Sequence, residues 1–354
     1  MNIIFRVDSY HSIGSGHLIR CLNLADELND FNNIWFITIA SDYFVELINQ
    51  RGYKALVIDR TSQKNEYKRI DYNQDASRTI QIIKEHRINV DILIVDNYAL
   101  DDRWEEQLRS FAKKIVVIDD LANRKHVCDL LLDQNLVENM NTRYHHLIQK
   151  NTELLLGPKY IILGKEYSLQ RKDISIRSNN IKRVLISFGG VDEFNFTGKL
   201  VEHFSRAKFK GIQFEVAVTD SFVFLEDLLT RSNQNNIKIH RNIDSLALLM
   251  KKCDIAIGAG GTTTWERLSL ALPSIVITIA DNQLESAKLL SKMGLIYWIG
   301  HYDALAKGWK KNLEDLILSN KNNENISKKS FSIVDGLGSK KVEKRIMRLI
   351  KSPL

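Results

Sequence analysis

Cysteine is scarce in this chain: Cys21, Cys128 and Cys253 are the only three in 354 residues, far apart and without a C-x-x-C pair. A disulfide framework and a cysteine zinc site are thereby excluded, and reduced thiols in the cytoplasm are expected. Long apolar runs are missing as well. None approaches the roughly 18 residues of a membrane helix, and Met1 leads directly into an apolar strand, so neither a membrane segment nor a signal peptide is expected. H-E-x-x-H and an Asp-rich calcium loop are absent, which leaves no metal site to expect. Glycine is short at one informative place. The fingerprint G-x-G-x-x-G breaks at its third position, where Ile19 stands, and no Walker-type G-x-x-x-x-G-K-[ST] occurs, so a nicotinamide or flavin cofactor is not supported. The net charge of +7 is not spread over the chain: residues 307 to 354 hold 12 Lys and Arg against 5 Asp and Glu, which is the whole surplus. No aromatic residues interleave with those lysines as a stacking platform would need, so the basic tail reads as a solvated surface and no nucleic-acid partner is expected.

The composition itself, 44% hydrophobic and 26% charged, is that of a globular protein long enough for two domains. The most informative stretch is IIFRVDSYHSIGSGHLIRCLNLADEL, residues 3 to 28. Ile3, Ile4, Phe5 and Val7 form a strand-length apolar run, and Leu18, Cys21, Leu22, Ala25 and Leu28 recur at helical spacing. Between them Gly14 and Gly16 allow a sharp turn and a close approach to a ligand, and a helix is expected to open at about Gly16 or His17 with unpaired N–H groups outward. The positive end of the helix dipole disfavours imidazolium at His17, so a neutral ring able to accept a proton describes a general base. Position alone equally allows His17 to cap the helix or pack under the loop.

Further strand-like runs follow at 34 to 40, 55 to 59, 91 to 96, 114 to 120, 130 to 133 and 153 to 157, separated mostly by helical or loop segments. Such alternation indicates a parallel sheet covered on both faces. Several runs end in acidic or amide residues: Asp8, Asp59, Asp96 with Asn97 and Tyr98, Asp119 with Asp120, and Asp133 with Asn135. These positions line the ligand crevice of an open parallel sheet, although an aspartate there is also a common turn former. From about 158 to 182 the pattern weakens and charge rises, which reads as a linker. A second alternation occupies 183 to 300. The expected layout is therefore an N-terminal Rossmann-like domain over 1 to 157, a linker over 158 to 182, a second Rossmann-like domain over 183 to 335, and a basic C-terminal helix over 336 to 354. The polar stretch 320 to 329 reads as a mobile loop. Two α/β halves of this kind place a ligand at a domain interface.

The second half carries three constellations. RVLISFGGVDEFNFTGKL is a buried strand reaching Gly189 and Gly190, after which Asp192, Asn195 and Thr197 lead into a helix. DIAIGAGGTTTWE sets Gly258, Gly260 and Gly261 before Thr262, Thr263 and Thr264, with Glu266 three residues after Thr263. That spacing fits a capping box. It also fits a helix start offering N–H groups and hydroxyls to a diphosphate, with the carboxylate accepting ribose hydroxyls. Asn282 and Gln283 stand just past a strand end, where their amides suit a sugar or phosphate, or cap the next helix.

Taken together, RVDSYHSIGSGHLIRCLNLA, DNY, VVIDDLANRKHVCDLLLDQN, LISFGGVDEFNFT, AIGAGGTTTWE and ADNQ resemble the UDP-2,4-diacetamido-2,4,6-trideoxy-β-L-altropyranose hydrolases of pseudaminic acid biosynthesis. The likeness spans Arg6 to about Gly338. It implies a GT-B-like α/β fold, two Rossmann-like domains with parallel sheets facing across a cleft. The implied reaction is hydrolysis of a UDP-sugar to UDP and free sugar, with water attacking the anomeric carbon and inverting it, and without a metal or other cofactor. By the family pattern His17 is the general base, and Tyr98 and Asn282 contact the substrate. Gly189 and Gly190 approach the phosphates, while Gly260, Gly261, Thr262 and Glu266 hold the uridine diphosphate. One departure is visible: where the family shows an arginine in a segment like LLRxEF, this chain has IILGKEY, with Gly164 and Lys165 in that place. Lys165 supplies a charge but not the planar fork of arginine. Two other functions fit the same motifs, a glycosyltransferase on this scaffold and a non-catalytic UDP-sugar binder.

Overall fold

The computed structural model describes residues 1–9, 15–30, 32–58, 71–231, 236–319 and 321–351. Gly14 and Asp59 lie outside the described residues. In the first half the elements are β1 (Asn2–Val7), α1 (Gly16–Leu28), β2 (Asn33–Thr38), α2 (Asp42–Gln50), β3 (Lys54–Val57), α3 (Tyr72–Glu85), β4 (Val90–Asp96), α4 (Asp102–Leu108), β5 (Ala112–Ile118), β6 (Leu130–Asp133) and β7 (Glu153–Leu156). They are followed by α5 (Lys165–Arg171), β8 (Arg183–Ser187), α6 (Phe196–Phe204), β9 (Gln213–Val218), α7 (Leu225–Arg231), β10 (Ile237–Arg241), α8 (Ala247–Lys252) and β11 (Ile255–Ala259). The chain closes with α9 (Thr262–Ser269), β12 (Ser274–Thr278), α10 (Leu284–Lys292), β13 (Tyr297–His301), α11 (Trp309–Leu318), α12 (Asn323–Ile333) and α13 (Gly338–Lys351).

Two compact units result. The first runs from Met1 to Gly164, apart from Leu136–Glu138, and takes the chain back from Leu337 onward; the second holds Leu136–Glu138 and Lys165–Gly336. Among the described residues the first unit has one sheet of order β3-β2-β1-β4-β5-β6-β7 and the second a sheet of order β10-β9-β8-β11-β12-β13, with every neighbouring pair parallel. Burial explains the sequence pattern. The inner strands β1, β4 and β6 are almost wholly buried, as a parallel sheet flanked by helices on both faces requires, whereas edge strands β3 and β10 expose part of their side chains.

In each sheet the chain winds outward from its first strand and then returns to that strand's other side. This reversal lies between β1 and β4 in one sheet and between β8 and β11 in the other. A crevice opens outside the carboxyl ends of the strands at such a point, because the connecting helices leave on opposite faces. Register places Val7 opposite Asp96 and Ser187 opposite Gly258 at these two reversals. Gly258 is required there, since a Cβ would stand 2.2 Å from the Ser187 carbonyl oxygen.

Three expectations are corrected. The segment 158 to 182 is not a plain linker: it contains α5, whose Tyr167 is buried, and the unit boundary falls between Gly164 and Lys165. The C-terminal basic helix does not stand apart but packs on α1, placing Val342 and Ile346 in the core of the first unit. Most of the polar stretch read as a loop is α12, which turns Asn323, Ile326, Ser327 and Ser330 inward. Ser327 Oγ donates to the Ala271 carbonyl at 2.7 Å and accepts from Arg177 N at 2.9 Å, so burial of the Ser327 hydroxyl is satisfied by hydrogen bonds.

Candidate active site

In the first unit, α1 begins at Gly16 directly behind the reversal, so His17 sits in its first turn. Asp96 ends β4, and Asp119 and Asp120 follow β5. These positions converge. His17 Nδ1 lies 2.6 Å from Asp96 Oδ1. Arg20, one helical turn after His17, grips the same carboxylate through Nε at 2.5 Å and Nη2 at 2.6 Å, and reaches Asp120 Oδ2 through Nη1 at 3.0 Å. Arg20 Nη2 also lies 3.0 Å from His17 Nδ1. Because an ionised carboxylate can only accept, the shorter contact is assigned as Nδ1–H donating to Asp96 Oδ1, which also accepts from Arg20 Nη2. Nε2 is then the free acceptor of the ring.

Asp96 is buried, which opposes its ionisation, yet the Arg20 guanidinium and the His17 ring more than offset that and hold its carboxyl well below the usual carboxylate range. Tyr98 donates its hydroxyl to Asp120 Oδ1 at 2.6 Å and sets its ring edge-on to His17, with centroids 4.4 Å apart. The immediate cluster thus opposes one guanidinium with two carboxylates.

A second buried network lies under this one. Arg6, wholly buried, is bound by Asp8 and Asp75, and Asp8 in turn accepts from Asn97 Nδ2 and from Ile39 N, both at 2.7 Å. Asn97 stands between Asp96 and Tyr98, so this network fixes the backbone that presents both. Trp104, fully buried, donates to Asp75 at 2.8 Å.

Farther along, Tyr144 donates to Asp119 Oδ2 at 2.9 Å and contacts Asp133 Oδ2 at 3.2 Å. Burial pushes the Asp133 carboxyl up to about 7, aided by Asp120 and Asp119 and opposed by the Asn135 N–H and Arg143. The folded chain therefore holds this proton more tightly than the unfolded chain, so stability falls as pH rises from about 4 to about 7. Asp133→Asn, which keeps a neutral side chain, removes that loss. Its stability relative to the parent should increase across this window by on the order of 2–4 kcal/mol and then level off. Denaturant unfolding of both proteins at pH 5 and pH 8 measures it, and an equal difference at the two pH values would refute the assignment.

In the second unit the structure brings the AGGTTT loop and one strand-end amide, Gln283, together. Gln283 Oε1 accepts from Gly260 N at 3.2 Å and from Ile279 N at 3.0 Å, tying the loop after β11 to the one after β12. A Cβ on Gly260 would come within 3.0 Å of Thr278 Cγ2. Gly261 is the N-cap of α9 and Thr262 its first residue, with no side-chain cap. The capping box between Thr263 and Glu266 is therefore absent, because the helix starts earlier than that box needs and Thr263 is already inside it. Glu266 is half-buried and hydrogen-bonds the Tyr167 hydroxyl instead; burial pushes its carboxyl up to about 7. Arg267 is buried beneath the loop and donates to the Ala259 carbonyl at 2.7 Å, and burial lowers its guanidinium to about 10, still charged at neutral pH.

The turn after β8 behaves differently. Gly189 takes a φ of +86°, which suits glycine, whereas Gly190 has an ordinary φ. Asn195 caps α6, accepting from Gly198 N at 3.0 Å, and Asp192 accepts from Phe196 N and Thr197 N at 3.0 and 2.7 Å. The first amides of α6 are thus satisfied within the protein, whereas those of α9 lack a side-chain acceptor. Asn282 is exposed on a short turn at Asp281–Gln283, and Gly16 is exposed at the start of α1. Among the described residues no group of three or more His, Cys, Asp or Glu is arranged to hold a metal ion, and no helix is long and apolar enough to cross a membrane. Arg20 was not singled out in the sequence, and Asp96 and Asp120 only as members of a class. Arg20's signal is its spacing of three from His17, which puts both on one helix face.

The glycosyltransferase family 28 C-terminal domain matches residues 184–346. An uncharacterized protein of Methanocaldococcus jannaschii is 29% identical over 294 residues, 80% of this chain and 57% of that protein; the chain thus spans little more than half the length of that relative. The UDP-2,4-diacetamido-2,4,6-trideoxy-β-L-altropyranose hydrolase of Campylobacter jejuni is 25% identical over 297 residues, 83% of this chain and 97% of that enzyme. Among solved structures, Acinetobacter baumannii MurG superposes with a TM-score of 0.65 at 11% identity, over 98% of this chain and 99% of that one. The chain has the GT-B fold of two Rossmann-like domains, and its sequence is related to this hydrolase and to family 28 glycosyltransferases.

Proposed function

We propose that the protein hydrolyses a UDP-linked 2,4-diacetamido-2,4,6-trideoxy sugar to UDP and the free sugar, the reaction named for the Campylobacter relative. The observation that carries this reading is the His17–Asp96 pair: a ring with Nδ1–H fixed on a buried carboxylate, leaving Nε2 as a base. In the proposed step Nε2 takes a proton from water as the water oxygen attacks the anomeric carbon. The bond from that carbon to the diphosphate oxygen breaks with inversion, and UDP leaves with the electron pair. We assign the nucleotide to the second unit, where the uncapped amides at the start of α9 and the buried Arg267 offer positive potential to the departing diphosphate, and Glu266 suits the ribose hydroxyls. Gly189, Gly190, Asn282 and Gln283 are proposed to border the same ligand. Asn195 enters only through its cap, which shapes the turn.

Turnover in ¹⁸O-water without an acceptor, with mass spectrometry of both products, tests the reading. Label in the free sugar is expected; label in UDP would mean attack at phosphorus and would sink it. The likeness to family 28 glycosyltransferases favours one other reading, sugar transfer to an acceptor hydroxyl. It predicts UDP release only when an acceptor is supplied.

A further inference from the structure

Five side chains, His17 among them, close on themselves. His17 bonds Asp96; Arg20 grips Asp96 and Asp120; Asp120 takes the Tyr98 hydroxyl; and the Tyr98 ring returns to His17. Each link fixes a different degree of freedom. A single hydrogen bond at Nδ1 sets the direction in which the ring points but leaves it free to tilt about that bond. The Tyr98 ring meets the imidazole at an interplanar angle of 86°, which opposes the tilt. Its hydroxyl has one proton, and that proton is given to Asp120, so none is left to donate to a ligand. Burial and the Asp120 charge keep the phenol protonated, so this bond persists across the neutral range. Asp120 joins the two arms that hold the base, Arg20 and Tyr98.

We infer that Tyr98 and Asp120 are positioning residues, which hold the His17 ring in its working orientation through one shared hydrogen bond instead of contacting the substrate. The inference rests on the proposed hydrolysis for its kinetic test but not for its spectroscopic one. If it holds, Tyr98→Phe and Asp120→Asn each lower kcat about tenfold with KM within about twofold, and the double variant is no worse than about tenfold, because both remove one interaction. Tyr98→Leu, which also removes the ring, loses more. A rise in KM at unchanged kcat for Tyr98→Phe, or an additive loss of about a hundredfold in the double variant, overturns it. Independently of any substrate, ¹⁵N-imidazole spectra of the histidine-labelled full chain should show His17 as a single Nδ1–H tautomer that becomes averaged in both single variants. An unchanged His17 signal would also overturn the inference. If the parent enzyme fails to turn over the UDP-sugar, the functional proposal falls while the spectra still decide the role of the clamp.

Discussion

His17→Ala should release UDP from the UDP-linked sugar about 10³-fold more slowly than the parent while binding UDP with unchanged affinity, because a positioned general base contributes on the order of 10²–10⁴-fold to such a step. The split between the two measurements is the point. His17 belongs to the first unit, whereas the nucleotide is assigned to the loop of Gly260, Gly261 and Thr262 in the second. Calorimetric titration with UDP and a continuous assay of UDP release would therefore give opposite answers for one variant. Retention of most of the activity would remove His17 from the chemistry, and loss of UDP binding would mean that the ring holds the ligand instead of activating water.

Asp96→Asn should be nearly as damaging, lowering kcat by about 10³-fold, although the new residue has the same shape. The reason is the direction of one hydrogen bond. The carboxylate accepts from His17 Nδ1, from two Arg20 nitrogens and from Cys21 Sγ at 3.4 Å, so all its neighbours are donors. An amide replaces one of these acceptors with an N–H. If the N–H faces His17, the ring's proton moves to Nε2, where an acceptor is needed; if it faces Arg20, two donors are left confronting each other. Since Asp96 is held well below the ordinary carboxylate range, its protonation does not govern the rate at any pH above about 4, and the defect should be the same at pH 6 and pH 9. A variant within about threefold of the parent, or one rescued by raising the pH, would contradict this account.

The strands were readable because parallel strands buried on both faces are near-continuous apolar runs, and IIFRV, DILIV and LLLD are of that kind. His17 was readable as a candidate because the period changes at a glycine turn. Its partners were not, for two reasons. An arginine within a helix reads as part of a solvated face, and only the fold reveals that Arg20 points inward against Asp96. A strand-end aspartate reads as a turn former, and nothing local separates Asp96 and Asp120, which meet His17 and Arg20, from Asp119, which receives Arg124 and the Ala122 N–H. Helix α12 escaped because its buried stripe is written in Asn and Ser at positions 323, 327 and 330, small polar letters that carry helical spacing without hydrophobicity. The capping box was a frame error: Gly261 starts α9 earlier than Thr263 would.

The closing helix α13 ties the last part of the chain to its first. Val342 and Ile346 join the same core as Leu18, Leu22 and Ala25 of α1, and Ser339 Oγ donates to the Leu163 carbonyl at 2.7 Å. During synthesis, then, the first unit emerges from the ribosome before the second but cannot finish folding until residues beyond 337 have followed, some 170 residues after its own last strand-and-turn segment has been made. The second unit, nearly continuous in sequence, needs no such wait. A nascent chain stopped near Gly336 would hold a completed second unit beside a first one with the apolar side of its His17 helix uncovered, which is a ready target for chaperones and proteases. Quality control of the half that carries His17 thus depends on translation running past Ile346.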